Sequence, residues 1–176
     1  GAGNGDLLRY EPETDGFRML VRGELHGIIW GGCVTDRYVV ASASPGALLV
    51  YDWREERLAT VLRPADPVEP HALYAHNAVE APDGMVILTG NMPVARLLVL
   101  DPGTMRVRSF HPGCFGDAGY AGPMIFLDDR TLMIVAGRFG GRTLLLGYPG
   151  FEYIGEVAGY AGLAAPHNRW ARVGGS

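Results

Sequence analysis

Several things are scarce in this chain of 176 residues, and each scarcity closes off a class of protein. No dense Lys/Arg cluster appears, and the formal net charge is −4. A nucleic-acid partner leaves a basic stripe, so that class is disfavoured. No apolar run approaches the ~20 residues of a membrane-spanning helix, so no membrane partner is expected. The two cysteines, Cys33 and Cys114, stand far apart without CxxC spacing. They support neither a disulfide framework nor a zinc cluster. No segment of 10–15 residues carries a 3.6-residue apolar period, so helix should be scarce. The chain shows no signal-peptide pattern and begins with Gly1 rather than Met. A cytoplasmic location and secretion after processing both stay open.

Glycine is what the chain has in excess. With 26 Gly and 12 Pro it holds many tight turns, as short-stranded all-β proteins do. Hydrophobic residues at 48% and charged residues at 19% are ordinary for a folded domain, and the length suits one domain with a sizeable core.

Between the turns the sequence repeats itself. Four segments align on a Leu-Leu pair before a turn: Leu7-Leu8, Leu48-Leu49, Leu97-Leu98 and Leu144-Leu145. Successive pairs lie 41, 49 and 47 positions apart (7 to 48, 48 to 97, 97 to 144). A strand-like run follows each pair. Three pairs are also preceded by one: Tyr38 to Ser42, Met85 to Thr89 and Leu132 to Ala136. Those runs follow the turns Asp36-Arg37, Asp83-Gly84 and Asp129-Arg130, with shorter apolar stretches before them. The unit is therefore about four strands in ~47 residues, the period of a propeller blade. An up-and-down barrel or a sandwich competes, but neither requires this self-similarity.

The expected fold is all-β. It is a β-propeller of about four blades of four antiparallel strands, or a fragment of a larger propeller. A single domain, 1–176, would hold the outer strands of blade 1 at 5–22, blade 2 at 28–62, blade 3 at 78–110 and blade 4 at 124–157. A closing or fifth-blade strand is expected at 166–173. An incomplete ring would leave open sheet edges and invite self-association.

This topology sorts the loops into two faces. The long connections between blades run roughly over 23–32, 63–77, 111–123 and 159–168. All five histidines fall within them: His26, His71, His76, His111 and His167. Loops on one face of a scaffold commonly carry the site. Imidazoles drawn together there would bind a metal ion or act as acid and base near neutral pH. His71, His76 and His111 are the candidate catalytic residues. Glu69, His76, Asp117 and His167 are the candidate metal ligands, with Mg²⁺ or Ca²⁺ favoured by the oxygen donors. Asn77, His167, Asn168, Tyr74, Arg96 and Arg138 are the candidate ligand-binding residues. For each there is a plainer reading. The repeated His76-Asn77 and His167-Asn168 pairs would cap strand entrances, the aromatics would pack between blades, and the arginines would be solvated.

The run His76-Asn77-Ala78-Val79-Glu80-Ala81-Pro82-Asp83-Gly84-Met85-Val86-Ile87-Leu88-Thr89 resembles the repeat of the NHL/YVTN/SMP-30-like propeller group. It is similar in particular to streptogramin B lyase-like repeats, where His or Pro-His precedes an apolar strand and a Pro-Asp-Gly turn. His26-Gly27-Ile28-Ile29 and Pro166-His167-Asn168 match the same entrance. The resemblance implies a propeller. It also implies either a scaffold that binds a small molecule or protein, or a divalent-metal-dependent lyase or lactonase. This chain has about four units where those rings have six or seven.

Overall fold

The computed structural model describes residues 5–23, 27–44, 46–63, 77–91, 94–137 and 141–158. They form fourteen strands and a single 3₁₀ turn at Gly113–Phe115. The strands fall into four antiparallel sheets, each wound in chain order. The first is a hairpin of β1 (Leu7–Glu11) and β2 (Gly16–Val21). The second holds β3 (Ile28–Val34), β4 (Tyr38–Ser44), β5 (Ala47–Asp52) and β6 (Arg57–Leu62). The third holds β7 (Ala78–Glu80), β8 (Val86–Gly90), β9 (Arg96–Asp101) and β10 (Arg106–Phe110). The fourth holds β11 (Ala121–Phe126), β12 (Thr131–Ala136), β13 (Arg142–Gly147) and β14 (Glu152–Glu156). The fold is an all-β propeller arrangement of four-stranded blades. The strand expected at 166–173 lies outside the described residues.

Each sheet alternates its side chains between two neighbours, as a strand's two-residue period requires. Leu49 and Tyr51 of β5 pack toward the hairpin with Val21, Leu7 and Leu20. Leu48 and Val50 point the other way and meet Leu98 and Leu100 of β9. Leu97 and Val99 then face Leu132, Ile134, Leu144 and Leu146 of the fourth sheet. The core is thus three layers between four sheets. A fully buried Leu or Ile in such a layer contributes about 1.5–3 kcal/mol by removal from water.

The packing fixes the repeat register and corrects one alignment. Leu49 and Leu98 face the preceding sheet, and in the fourth sheet that role falls to Leu144, not Leu145. The Leu-Leu pair of the last repeat is therefore out of phase by one residue. The turns between the last two strands of each sheet confirm it. Each turn has one residue in the left-handed region: Asp15, Glu56, Met105 and Phe151, all four positions past the end of the preceding strand. The last two lie 46 apart, which matches the Asp83-to-Asp129 spacing rather than 47.

Two of those turns are built by carboxylates. Asp52 Oδ1 accepts the backbone N–H groups of Arg54 and Glu55 at 3.1 and 3.0 Å. Asp101 Oδ1 does the same for Gly103 and Thr104 at 2.8 and 3.3 Å, and its Oδ2 accepts the Thr104 hydroxyl at 2.8 Å. A short acidic side chain at this position substitutes for a backbone turn bond.

Candidate functional site

The first strands of the three complete sheets lie side by side, with β7 between β3 and β11. This places the turns that follow them around one mouth: 35–37, 81–85 and 127–130. Each turn is fixed locally by a polar side chain. Thr35 Oγ1 accepts the Tyr38 N–H at 2.9 Å. Asp83 Oδ1 accepts the Met85 N–H at 3.2 Å, and Asp128 Oδ1 accepts the Arg130 N–H at 2.8 Å. Gly84 sits at φ +83°, a conformation that L side chains rarely adopt, which explains Asp-Gly at this turn.

The mouth holds a solvent-open depression of about 510 Å³ lined by Asp36, Glu80, Ala81, Pro82, Gly84, Phe126, Asp128 and Asp129. Four of the eight lining residues are carboxylates, and none is basic. They come from three different sheets. Burial pushes the Glu80 carboxyl above its ordinary range, and the charge of Asp36 adds to the shift. Asp128 is held below its ordinary value, chiefly by the Arg130 N–H and the Thr131 hydroxyl. The cavity lining therefore gathers negative charge with an apolar rim of Pro82 and Phe126, while Arg37, paired with Asp52, and Arg130, beside Asp128, stand on the same turns. A positively charged group entering it would relieve the repulsion between Glu80 and Asp36.

The surrounding turns are tied together. Tyr148, after β13, donates its hydroxyl to both carboxylate oxygens of Asp83 at 2.7 Å, which fastens the fourth sheet to the third. Burial first, then this bond to Asp83, raises the phenol's pKa. Arg37 donates its Nε to Asp52 Oδ2 at 2.9 Å, and Trp53 donates its indole N–H to the Thr35 carbonyl at 3.0 Å. Burial would raise the Asp52 carboxyl. The Glu55 N–H, Arg37 and the Arg54 N–H outweigh it and hold that carboxyl below its usual range.

The opposite mouth carries the connections between blades, where the sequence places its candidate site. His71, His76, His167, Asn168, Tyr74, Glu69 and Arg138 lie outside the described residues. Of those described, His111 has its Nδ1 2.9 Å from the Ala95 carbonyl oxygen, so the ring braces the segment entering β9. Asp117 is exposed, just beyond the 3₁₀ turn. Arg96 is the first residue of β9 and half-buried. Asn77 immediately precedes β7 and its carbonyl accepts the Thr89 N–H at 3.1 Å. Among the described residues, no three His, Cys, Asp or Glu side chains are grouped to hold a metal ion.

This side nevertheless holds buried polar atoms that sequence reasoning missed. Asn91 is fully buried, and its Oδ1 accepts the Ala121 N–H at 2.7 Å. The amide nitrogens of Asn77 and Asn91 and the hydroxyl of Thr89 have no partner among the described residues. Buried polar groups are rarely left so, and water commonly fills the role. The acids of the first mouth were missed as a group as well. Their signal was the Asp repeated at each inner turn, read as turn chemistry alone. Burial pushes the Cys33 thiol up to about 12, with a further push from Glu80, and burial also raises Cys114, which disfavours the thiolate at both.

No family model and no curated protein sequence matches this chain. Its structure matches those of solved β-propellers. The β-propeller domain of Cps50 (Swd1) from Myceliophteria thermophila aligns with a TM-score of 0.69 at 14% identity, over 92% of this chain and 52% of that one. The WD40 repeats of RRP9 align at 0.60 and 15% identity, over 77% of this chain and 41% of that one. BamB from Moraxella catarrhalis aligns at 0.54 and 19% identity, over 74% of this chain and 37% of that one. At these identities the likeness establishes the fold. The chain spans about two-fifths to one-half of the propeller chains it matches.

Proposed function

We propose that this chain is a protein-interaction propeller and that a basic segment of its partner enters the acidic mouth. The observation that carries this reading is the convergence of Asp36, Glu80, Asp128 and Asp129 on one cavity from three sheets. WD40 repeats among the structural neighbours support an interaction role. A cavity of this size falls within the ~300–1,000 Å³ of ligand pockets. Its acidity selects a cationic occupant, and Phe126 and Pro82 offer a surface for the stem of an arginine. Surface charge of this kind speeds encounter and sets partner choice more than it adds affinity.

The test is a fluorescence titration with an arginine-rich peptide and an acidic control of equal length. The basic peptide should bind, and added salt should weaken it. The triple substitution Asp36→Asn, Glu80→Gln and Asp129→Asn should weaken it about threefold or more, from three exposed charge pairs of roughly 0.2–1 kcal/mol each. Equal binding by the triple variant would refute the reading.

The sequence points instead to the mouth carrying the long connections. The atoms of Asn77, Thr89 and Asn91 that have no partner among the described residues favour a polar occupant there, such as a small molecule. The finer likeness to lyase-type repeats, and with it metal-dependent lyase or lactonase chemistry, draws no support from the neighbours named above or from the described residues. Melting the chain with Mg²⁺, Ca²⁺ or EDTA tests it, and a cation-dependent rise in Tm would revive it.

A further inference from the structure

The three inner turns of the acidic mouth are not held in the same way. In each complete sheet, one position just past the third strand stands opposite the turn that follows the first. Val39 pairs with Tyr51, Val86 with Leu100 and Leu132 with Leu146, which makes that position Trp53, Pro102 and Tyr148 in turn. Trp53 donates its backbone N–H to the Arg37 carbonyl at 3.1 Å, and Tyr148 donates its own to the Arg130 carbonyl at 2.8 Å. Each bond ties an inner turn to its own sheet. Pro102 has no N–H, so the turn 81–85 lacks that rung.

The turn of the second sheet has further ties, since Trp53 donates its indole N–H to the Thr35 carbonyl and Arg54 its Nε to the Asp36 carbonyl at 2.8 Å. The turn 81–85 closes on itself instead. Ala81 donates its N–H to the Met85 carbonyl at 2.7 Å, and Gly84 to the Ala81 carbonyl at 2.9 Å. Among the described residues, the hydrogen bonds that reach this turn from another sheet are the two from the Tyr148 hydroxyl to Asp83. The same side chain touches the facing wall. Its ring meets Phe126 edge-on with centroids 5.3 Å apart, and Phe151 at 5.8 Å. Phe126 lines the depression, and so do Glu80, Ala81, Pro82 and Gly84 around Asp83, while Tyr148 lies outside the lining.

We propose that Tyr148 is the positioning residue of the mouth: its hydroxyl sets where the 81–85 wall stands against Phe126 and takes the place of the rung that Pro102 removes. What this position serves rests on the acidic-mouth reading; the tether itself rests on geometry alone. Loss of the hydroxyl leaves the charge of the lining unchanged. It frees the wall, which an occupant must then order at a cost in affinity.

The test is amide hydrogen exchange by NMR on the wild type, Tyr148→Phe, Pro102→Ala and the double variant, each then titrated with the arginine-rich peptide. Phenylalanine keeps the ring packing and removes only the hydroxyl. Tyr148→Phe should speed exchange at Gly84 and Met85 about two- to tenfold, the worth of one hydrogen bond, while Tyr38 and Arg130 keep their rates. Peptide affinity should fall about twofold or more. Pro102→Ala returns an N–H opposite Gly84. Alone it should slow exchange at both amides, and in the double variant it should bring rates and affinity back toward the wild type. Four results would overturn the proposal: unchanged exchange at Gly84 and Met85 in Tyr148→Phe, equal acceleration in all three inner turns, no recovery in the double variant, or undiminished affinity of Tyr148→Phe for a peptide that the wild type binds. A wild type that binds no peptide would sink the acidic-mouth reading instead, and the exchange rates alone would then decide for or against the tether.

Discussion

Leu144 and Leu145 are neighbours of identical chemistry, and the register assigns them opposite environments. Leu144 is fully buried between the third and fourth sheets, against Leu97, Val99 and Ile134. Leu145 points to the other side and is half-buried. Truncating Leu144 to Ala removes three carbons from a packed layer and leaves a cavity. Such changes cost 2–5 kcal/mol, and a central value of about 3 is expected here. For a domain of this size that corresponds to a fall in Tm of about 6–12 °C. Leu145→Ala gives up less buried surface and opens no enclosed cavity, so about 1 kcal/mol is expected. Urea denaturation of both variants reads the difference directly. The reverse order would put the Leu-Leu pair back in phase with the other three. It would also undo the assignment of Leu144 to the face that meets the third sheet.

Two further predictions concern the mouth. The folded-state pKa of Glu80 lies above its ordinary value, so the folded chain binds more protons than the unfolded one just above pH 4.5. Its contribution therefore makes stability fall as pH rises through that window. Glu80→Gln should match the wild type near pH 4 and equal or exceed it at pH 7 in denaturant melts; a variant less stable at pH 7 would contradict the assignment. Tyr148→Phe removes the hydroxyl that binds Asp83 and should cost about 1 kcal/mol. If its unfolding midpoint is unchanged, the tether between the third and fourth sheets contributes nothing.

Much of the fold was legible because a strand's apolar alternation survives in sequence. The inner turns, each marked by Asp, gave the period, and the Leu-Leu pairs gave the third strand of each unit. The last pair misled because Leu144-Leu145-Leu146 is an unbroken apolar run, which hides its phase. The residue before it, Thr143, is polar yet buried, so it gives no apolar mark of the phase. Strand β11 opens at Ala121, inside a Gly-Pro stretch whose composition reads as a turn. The acidic mouth could not be read at all. Its members span positions 36 to 129, and only the convergence of three turns on one mouth brings them together. The histidine pattern pointed to the other mouth, where His111 braces the backbone at Ala95.

The measurement that bears most directly on function is a two-dimensional NMR titration of the chain with an arginine-rich peptide. The acidic mouth predicts shifts at residues 35–37, 80–85 and 126–130, with those at Asn77, Asn91, Arg96 and 111–118 unmoved. Shifts confined to the second group would place binding on the opposite mouth and contradict the account.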